Sequence, residues 1–241
     1  MCNMKKYGFN SQNIKIINNE NVGRVIAKSN NTYIIITNSS EVKAEISNNL
    51  TEYPVIGDFV NIETKNSINY ISKIINRKNK LIRKGEWDAN SDYVIAANID
   101  IVFIMISLTN DFHTEKLKAY ISIAENLNTE TIVVLNKFKS DIPINIINEI
   151  NDLTKDMKVI KSSDISKEKA KIKGCIHDGQ TVIFIGPEHD KIKMINELFE
   201  NVNLINQLSL LPDGGILIDT PEMRELGIEN INILSKFADI L

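Results

Sequence analysis

Between residues 22 and 75 apolar and polar positions alternate in short runs. VGRVIAKS, TYIIITNS, EVKAEIS, DFVNIE and INYISKII are rich in β-branched residues and separated by Asn, Ser or Gly, the pattern of half-buried strands. Pro54 and Gly57 in YPVIGDFV mark a turn ahead of a strand. About five strands in roughly 55 residues, with no helical periodicity, predict a small all-β barrel of the OB-fold kind.

Beyond residue 93 the period changes. IDIVFIMISL (99–108) is almost continuously apolar, as a strand covered on both faces must be. TEKLKAYISIAENL (114–127) has helical spacing, with Thr114 as its expected N-cap. TIVVLNK (131–137) reads as a buried strand, INIINEINDLT (144–154) as a helix and MKVIKSS (157–163) as a strand, followed by a lysine-rich segment to residue 173. TVIFIG (181–186) then enters an amphipathic helix, and GGILIDT (214–220) supplies a last strand. Strands alternating with helices predict a mostly parallel sheet with helices on its faces. The polar, basic stretch 77–92, which holds the only tryptophan, Trp87, is read as the linker between the two domains.

Composition narrows the function classes. A hydrophobic content of 43% and a charged content of 24% over 241 residues describe a globular chain with ample core. No apolar run approaches the roughly 20 residues that cross a bilayer, and no apolar segment follows the lysines of MCNMKKYGFN, so no signal peptide is expected. Two cysteines, Cys2 and Cys175, make no disulfide framework, which points to a reducing cytoplasm. With only His113, His177 and His189 beside them, no zinc site is expected. The net charge of −3 is unevenly spread: residues 65–85 hold seven basic side chains and no acid. Lys73, Arg77, Lys78, Lys80, Arg83 and Lys84 within this segment are candidate contacts to a polyanion such as RNA. A solvated linker is the alternative reading.

The stretch 181–198, TVIFIGPEHDKIKMINEL, is the centre of the chemical question. A strand that passes through a glycine into a helix is where nucleotide-binding α/β proteins hold phosphate, on backbone amides and a lysine.

YPVIGDFV, VIAANIDIVFIMISLTNDFHTEKLKAYI, VVLNK and GGILIDTPEMREL resemble, in that order, blocks of the ribosome-small-subunit-dependent GTPase family, also called RsgA, YjeQ or EngC. The resemblance runs from about residue 22 to residue 226. It implies an OB-fold followed by a circularly permuted GTPase domain, in which the guanine-reading motif precedes the phosphate loop. Asn136 and Lys137 do precede Gly186 and Asp219 here. The implied organisation is an N-terminal extension (1–20), an OB-fold (21–76), a basic linker (77–92) and a GTPase-like domain (93–241).

Tested one by one, the family's motifs are degenerate. The guanine motif N-K-x-D requires an acceptor at its last position, and this chain reads Asn136, Lys137, Phe138, Lys139, with Asp141 two residues further on; lysine only donates. A strand end with no ligand is the alternative for Asn136 and Lys137. The phosphate loop G-x-x-x-x-G-K-[ST] lacks its second glycine. The helix alignment through INEL implies a one-residue deletion, with Lys191 as the motif lysine and Ile192 in place of the Mg²⁺-binding hydroxyl. Glu188 and Asp190 sit where the helix dipole favours anions, and they would repel a triphosphate. In D-x-x-G, Asp219 is kept and the glycine is Glu222. Between the phosphate loop and Asp219 there is no threonine from residue 194 to residue 218 to serve as the family's switch, and no cysteine or histidine follows MREL to build its zinc module.

The reading is therefore an RsgA-like ribosome-biogenesis protein that contacts the small ribosomal subunit or its RNA from the cytoplasm, with GTP binding and hydrolysis weakened or lost; its oligomeric state is left open, a monomer being favoured. Asn136, Lys137, Gly186, Lys191 and Asp219 mark a vestigial nucleotide site. One alternative is an active GTPase in subunit assembly, with GTP and Mg²⁺ as cofactors. Another is a protein-interaction scaffold without an RNA role.

Overall fold

A computed structural model describes residues 4–9, 21–83, 93–109, 112–138, 142–199, 207–220 and 223. Strands β1 (Val22–Ser29), β2 (Thr32–Thr37), β3 (Glu41–Ile46), β4 (Phe59–Lys65) and β5 (Ile68–Ile74) pair in the order β1-β2-β3-β5-β4. β4 returns to pair with β1 and closes the barrel. Only the β3–β5 pair is parallel. Every second side chain points inward, so Val25, Tyr33, Ile35, Ala44, Val60, Ile62 and Ile71 fill the interior. The five expected strands and the turn at Gly57 are all present. Gly57 has φ +93°, and a Cβ on it would lie 2.3 Å from the Ala97 carbonyl oxygen; only glycine permits the barrel to approach the next domain this closely.

The second unit contains β6 (Lys80–Arg83), β7 (Tyr93–Ala97), β8 (Ile101–Ser107), α1 (Thr114–Glu125), β9 (Glu130–Asn136), α2 (Ile144–Leu153), β10 (Lys158–Lys161), α3 (Lys169–Lys173), β11 (Thr181–Ile185), α4 (Glu188–Leu198), β12 (Gln207–Leu210) and β13 (Ile216–Asp219). Its strands run β10-β9-β8-β11-β13-β12, parallel except for β12, and β12 pairs antiparallel with β1 at Gln207 and Ala27, so the sheet continues into the barrel. Alternate residues of β8 feed two cores. Val102, Ile104 and Ile106 meet Leu117, Tyr120, Ile121 and Ala124 of α1. Ile101, Phe103 and Met105 share the opposite core with Ile172 of α3 and Met194, Ile195 and Leu198 of α4. Burial on both faces is why this strand carries no polar alternation.

Three expectations need correction. Thr114 is the first helical residue rather than the cap; His113 takes the cap position and makes no side-chain cap bond. The stretch 77–92 is not a free linker in its described part, because β6 pairs with β7, and Asn79 bonds both the backbone amide and the carbonyl of Ile99. β6, β7 and β12 are also additional strands. Each is only four or five residues long, too short for a pattern of period two to declare itself.

Beside the β1–β12 pairing, the barrel is fastened to the sheet by a buried arginine that sequence patterning did not single out. Arg24, 1% exposed, donates from Nε to the Gly57 carbonyl, from Nη1 to the Tyr7 carbonyl and from Nη2 to Thr181 Oγ1. Its guanidinium also lies over the Phe59 ring, 4.8 Å from the centroid. Burial lowers its pKa to about 10. Three bonds to three separate segments make one side chain the link between barrel, N-terminal turn and β11.

Candidate functional site

Parallel α/β sheets bind ligands beyond the carboxyl ends of their strands, where the winding direction reverses. Here the chain passes from β8 outward through β9 to β10, then returns to β11 on the other side of β8. The reversal therefore lies between β8 and β11. Ser107, Asn136, Gly186 and Asp219 all stand at that edge, since Ser107 and Asn136 are register partners and β11 and β13 end beside them. The topology thus brings the three motif segments at Asn136, Gly186 and Asp219 to one edge, with Ser107 of β8 beside them.

Gly186 leaves β11 with φ +148°, and a Cβ there would lie 2.2 Å from the Met105 carbonyl oxygen. The turn therefore hugs the β8 backbone, which only glycine allows. Pro187 follows, and α4 starts at Glu188 with no side-chain cap. Two residues separate strand and helix, so the chain does not form an open loop around a phosphate-sized volume. Glu188 and Asp190 are half-buried in the first turn of α4, where the helix dipole stabilises each by about 0.3–1 kcal/mol.

Lys191 is 1% exposed and points its ammonium at β13. Its Nζ lies 3.4 Å from Asp219 Oδ1, and the two side chains are 1% and 6% exposed. A buried ammonium and a buried carboxylate neutralise one another, and either alone would be strongly destabilising there. Two further polar atoms at this edge are buried without a hydrogen-bond partner among the described residues: Asn136 Oδ1 and Thr220 Oγ1. Thr220 was not among the expected site residues; its place directly after Asp219 was the only signal for it. Lys137, at φ +55°, turns the chain so that the Phe138 amide donates to the Ser162 carbonyl. Lys139, Asp141, Glu222 and the MREL residues after Met223 lie outside the described residues.

The basic segment is less free than its composition implied. Arg77 is a correction: its side chain is 4% exposed, and Nε and Nη2 grip the two oxygens of Asp58 at 2.7 Å each. Nη1 and Nη2 also reach Glu52 and the Tyr53 carbonyl. Asp58 is fully buried, and burial pushes its pKa up against the opposing pull of Arg77, while the carboxylate raises the pKa of Arg77 in turn. Lys78 pairs with Asp100 at 2.8 Å, and Lys80 lies 3.7 Å from Glu52. Lys73 is exposed, Arg83 donates to the Tyr93 hydroxyl, and Lys84 lies outside the described residues.

The sequence model of the RsgA GTPase family matches residues 74–209. Among similar proteins is the small ribosomal subunit biogenesis GTPase RsgA of Methanosarcina acetivorans. It is 28% identical over 229 residues that cover 85% of this chain and 62% of the relative. The protein named RsgA 2 of Vibrio parahaemolyticus is 27% identical, covering 90% of this chain and 66% of its own length. The chain thus spans about two thirds or less of these relatives. The crystal structure of YjeQ from Thermotoga maritima superimposes with a TM-score of 0.66 at 18% identity, covering 86% of this chain and 76% of that one. The structure of YloQ, a circularly permuted GTPase, gives a TM-score of 0.59 at 19% identity, over 83% and 71% of the two chains. Barrel, permuted motif order and the family match over more than half of the residues agree: this chain belongs to the RsgA GTPase family.

Proposed function

We propose that this chain is an RsgA-like ribosome-biogenesis protein that contacts the small ribosomal subunit or its RNA in the cytoplasm, with GTP binding and hydrolysis weakened or lost. The observation that carries the second half is the buried Lys191–Asp219 pair. In a phosphate loop the lysine must serve the phosphates and the aspartate the magnesium side. Here each neutralises the other, behind a turn that is one residue short of the motif and has Ile192 where a hydroxyl is required. These residues do not fit a magnesium-bound triphosphate without breaking the pair and rebuilding the turn. The relatives' names, which specify small-subunit biogenesis, support the first half.

Titration with fluorescent GTP in Mg²⁺ is the direct test, with fluorescent ATP as the selectivity control. The expected result is no saturable signal at micromolar protein; guanine-selective binding with a micromolar Kd would overturn the reading. Cosedimentation with small subunits should weaken as salt rises, and no cosedimentation at low salt would remove the ribosomal half.

A second reading, an active GTPase that uses Asn136, Lys137, Gly186, Lys191 and Asp219 with Mg²⁺, is favoured by one feature. Asn136 Oδ1 is buried at the sheet edge with no partner among the described residues, as a base-reading group awaiting its ligand would be. The same titration decides between the two.

A further inference from the structure

A groove of about 330 Å³ lies at the junction of the barrel and the α/β domain, and neither Lys191 nor Asp219 lines it. Lys28 from the end of β1, Asn30 from the turn after it, Ile56 from the Gly57 turn, Tyr93 and Val94 from β7, and Thr220 line it. Its volume falls in the range of small-molecule sites. Two features point to an occupant. The Thr220 hydroxyl is 1% exposed and has no hydrogen-bond partner among the described residues, so its hydrogen-bonding capacity is unmet unless something in the groove takes it. Along the rim, exposed aromatic rings alternate with cations. Tyr53 is 74% exposed and has the Lys28 ammonium 6.0 Å from its centroid; Tyr93 is 44% exposed and has the Arg83 guanidinium at the same distance.

We infer that this groove captures an unpaired nucleotide of a single-stranded RNA segment: its base stacks on Tyr93 and hydrogen-bonds to Thr220, and the phosphates on either side meet Lys28 and Arg83. This rests on the RNA half of the proposed function and adds which strand form is bound and where. Aromatic rings set between cations suit unpaired strands, because every base has a face to stack while a duplex keeps its bases covered. The rim continues past the groove to Tyr53, so a strand is held by more than the one nucleotide. A free nucleoside monophosphate offers the same chemistry without the neighbouring contacts.

The test compares binding of a labelled single-stranded oligoribonucleotide, the same sequence as a duplex, and free nucleoside monophosphates by fluorescence anisotropy and competition. The protein is used as wild type, Tyr93→Ala, Tyr93→Phe, Tyr53→Ala and a Lys73→Ala/Lys80→Ala double variant. Tyr93→Ala is expected to weaken single-strand binding about ten-fold, within the measured range for one base-stacking ring, and to leave duplex binding unchanged. Tyr93→Phe, which keeps the ring and loses only the hydroxyl that Arg83 bonds, should bind like wild type. An oligonucleotide carrying 2-aminopurine should be quenched by the wild type and by Tyr93→Phe, and not by Tyr93→Ala.

If Tyr93→Ala and Tyr53→Ala bind single strands as wild type does while the lysine double variant does not, the groove inference fails and RNA binding stands. If free monophosphates compete as well as the oligonucleotide, the groove is a mononucleotide site and the strand inference fails. If no RNA form binds at all, the RNA half of the proposed function falls, and this inference with it.

Discussion

Replacing Lys191 by methionine removes the ammonium and keeps nearly the same side-chain volume. Unit charges 3.4 Å apart attract by about 5 kcal/mol at an effective dielectric constant of about 20. In wild type most of this offsets the desolvation of two ions, so the pair as a whole adds little net stability. The single variant is different: it leaves the Asp219 carboxylate buried without that ammonium, and the expected cost is about 3–5 kcal/mol. Lys191→Met with Asp219→Leu removes both charges and should recover most of the loss. Urea unfolding of the four members of this double-mutant cycle, each with and without GTP and Mg²⁺, measures the coupling directly. Nucleotide should shift none of the midpoints. If Lys191→Met kept the wild-type midpoint to within about 0.5 kcal/mol, the level of a neutral surface substitution, the ammonium would bear no structural role. The case for a neutralised site would then be refuted, all the more so if GTP stabilised the wild type and not the variant.

The pair beneath the barrel makes a pH-dependent prediction. The folded pKa of Asp58 is raised by burial and restrained by Arg77. The folded state therefore binds its proton more tightly than the unfolded chain does, and stability falls as pH rises through that folded pKa. Arg77→Met removes the restraint and raises the pKa further; it should cost about 3–5 kcal/mol at pH 7, and less at pH 5, because the raised pKa favours the neutral carboxyl as pH falls. Urea midpoints at the two pH values check this, and an equal penalty at both would contradict it. Arg24→Lys keeps the charge but cannot reach the Gly57 and Tyr7 carbonyls and Thr181 Oγ1 at once. It should destabilise by at least about 2 kcal/mol through unsatisfied buried groups and speed amide exchange in β1 and β11 together. Exchange confined to β1 would mean that this residue does not couple the two units.

Local pattern was enough for the elements that are long and periodic. The barrel strands and the continuous apolar run of β8 were legible because burial on one or both faces writes directly into residue order. The permuted order of Asn136, Gly186 and Asp219, the shortened turn before α4 and the missing hydroxyl at Ile192 could also be read along the chain, since each is a matter of identity and spacing. What could not be read was which charged groups meet. Arg77 sits in a run of surface-like cations, yet it is buried because Asp58, 19 residues earlier, turns inward from the Gly57 corner. Arg24 gives no sign in β1 that its partners lie near residues 7, 57 and 181. The same holds at the nucleotide edge. The sequence by itself determined the identities and spacing of Lys191, Ile192 and Asp219. Only the tertiary structure decided that Lys191 and Asp219 face one another at 3.4 Å out of water. Such a pairing depends on how β11, α4 and β13 pack, and burial, not residue type, sets whether a lysine serves a ligand or a carboxylate.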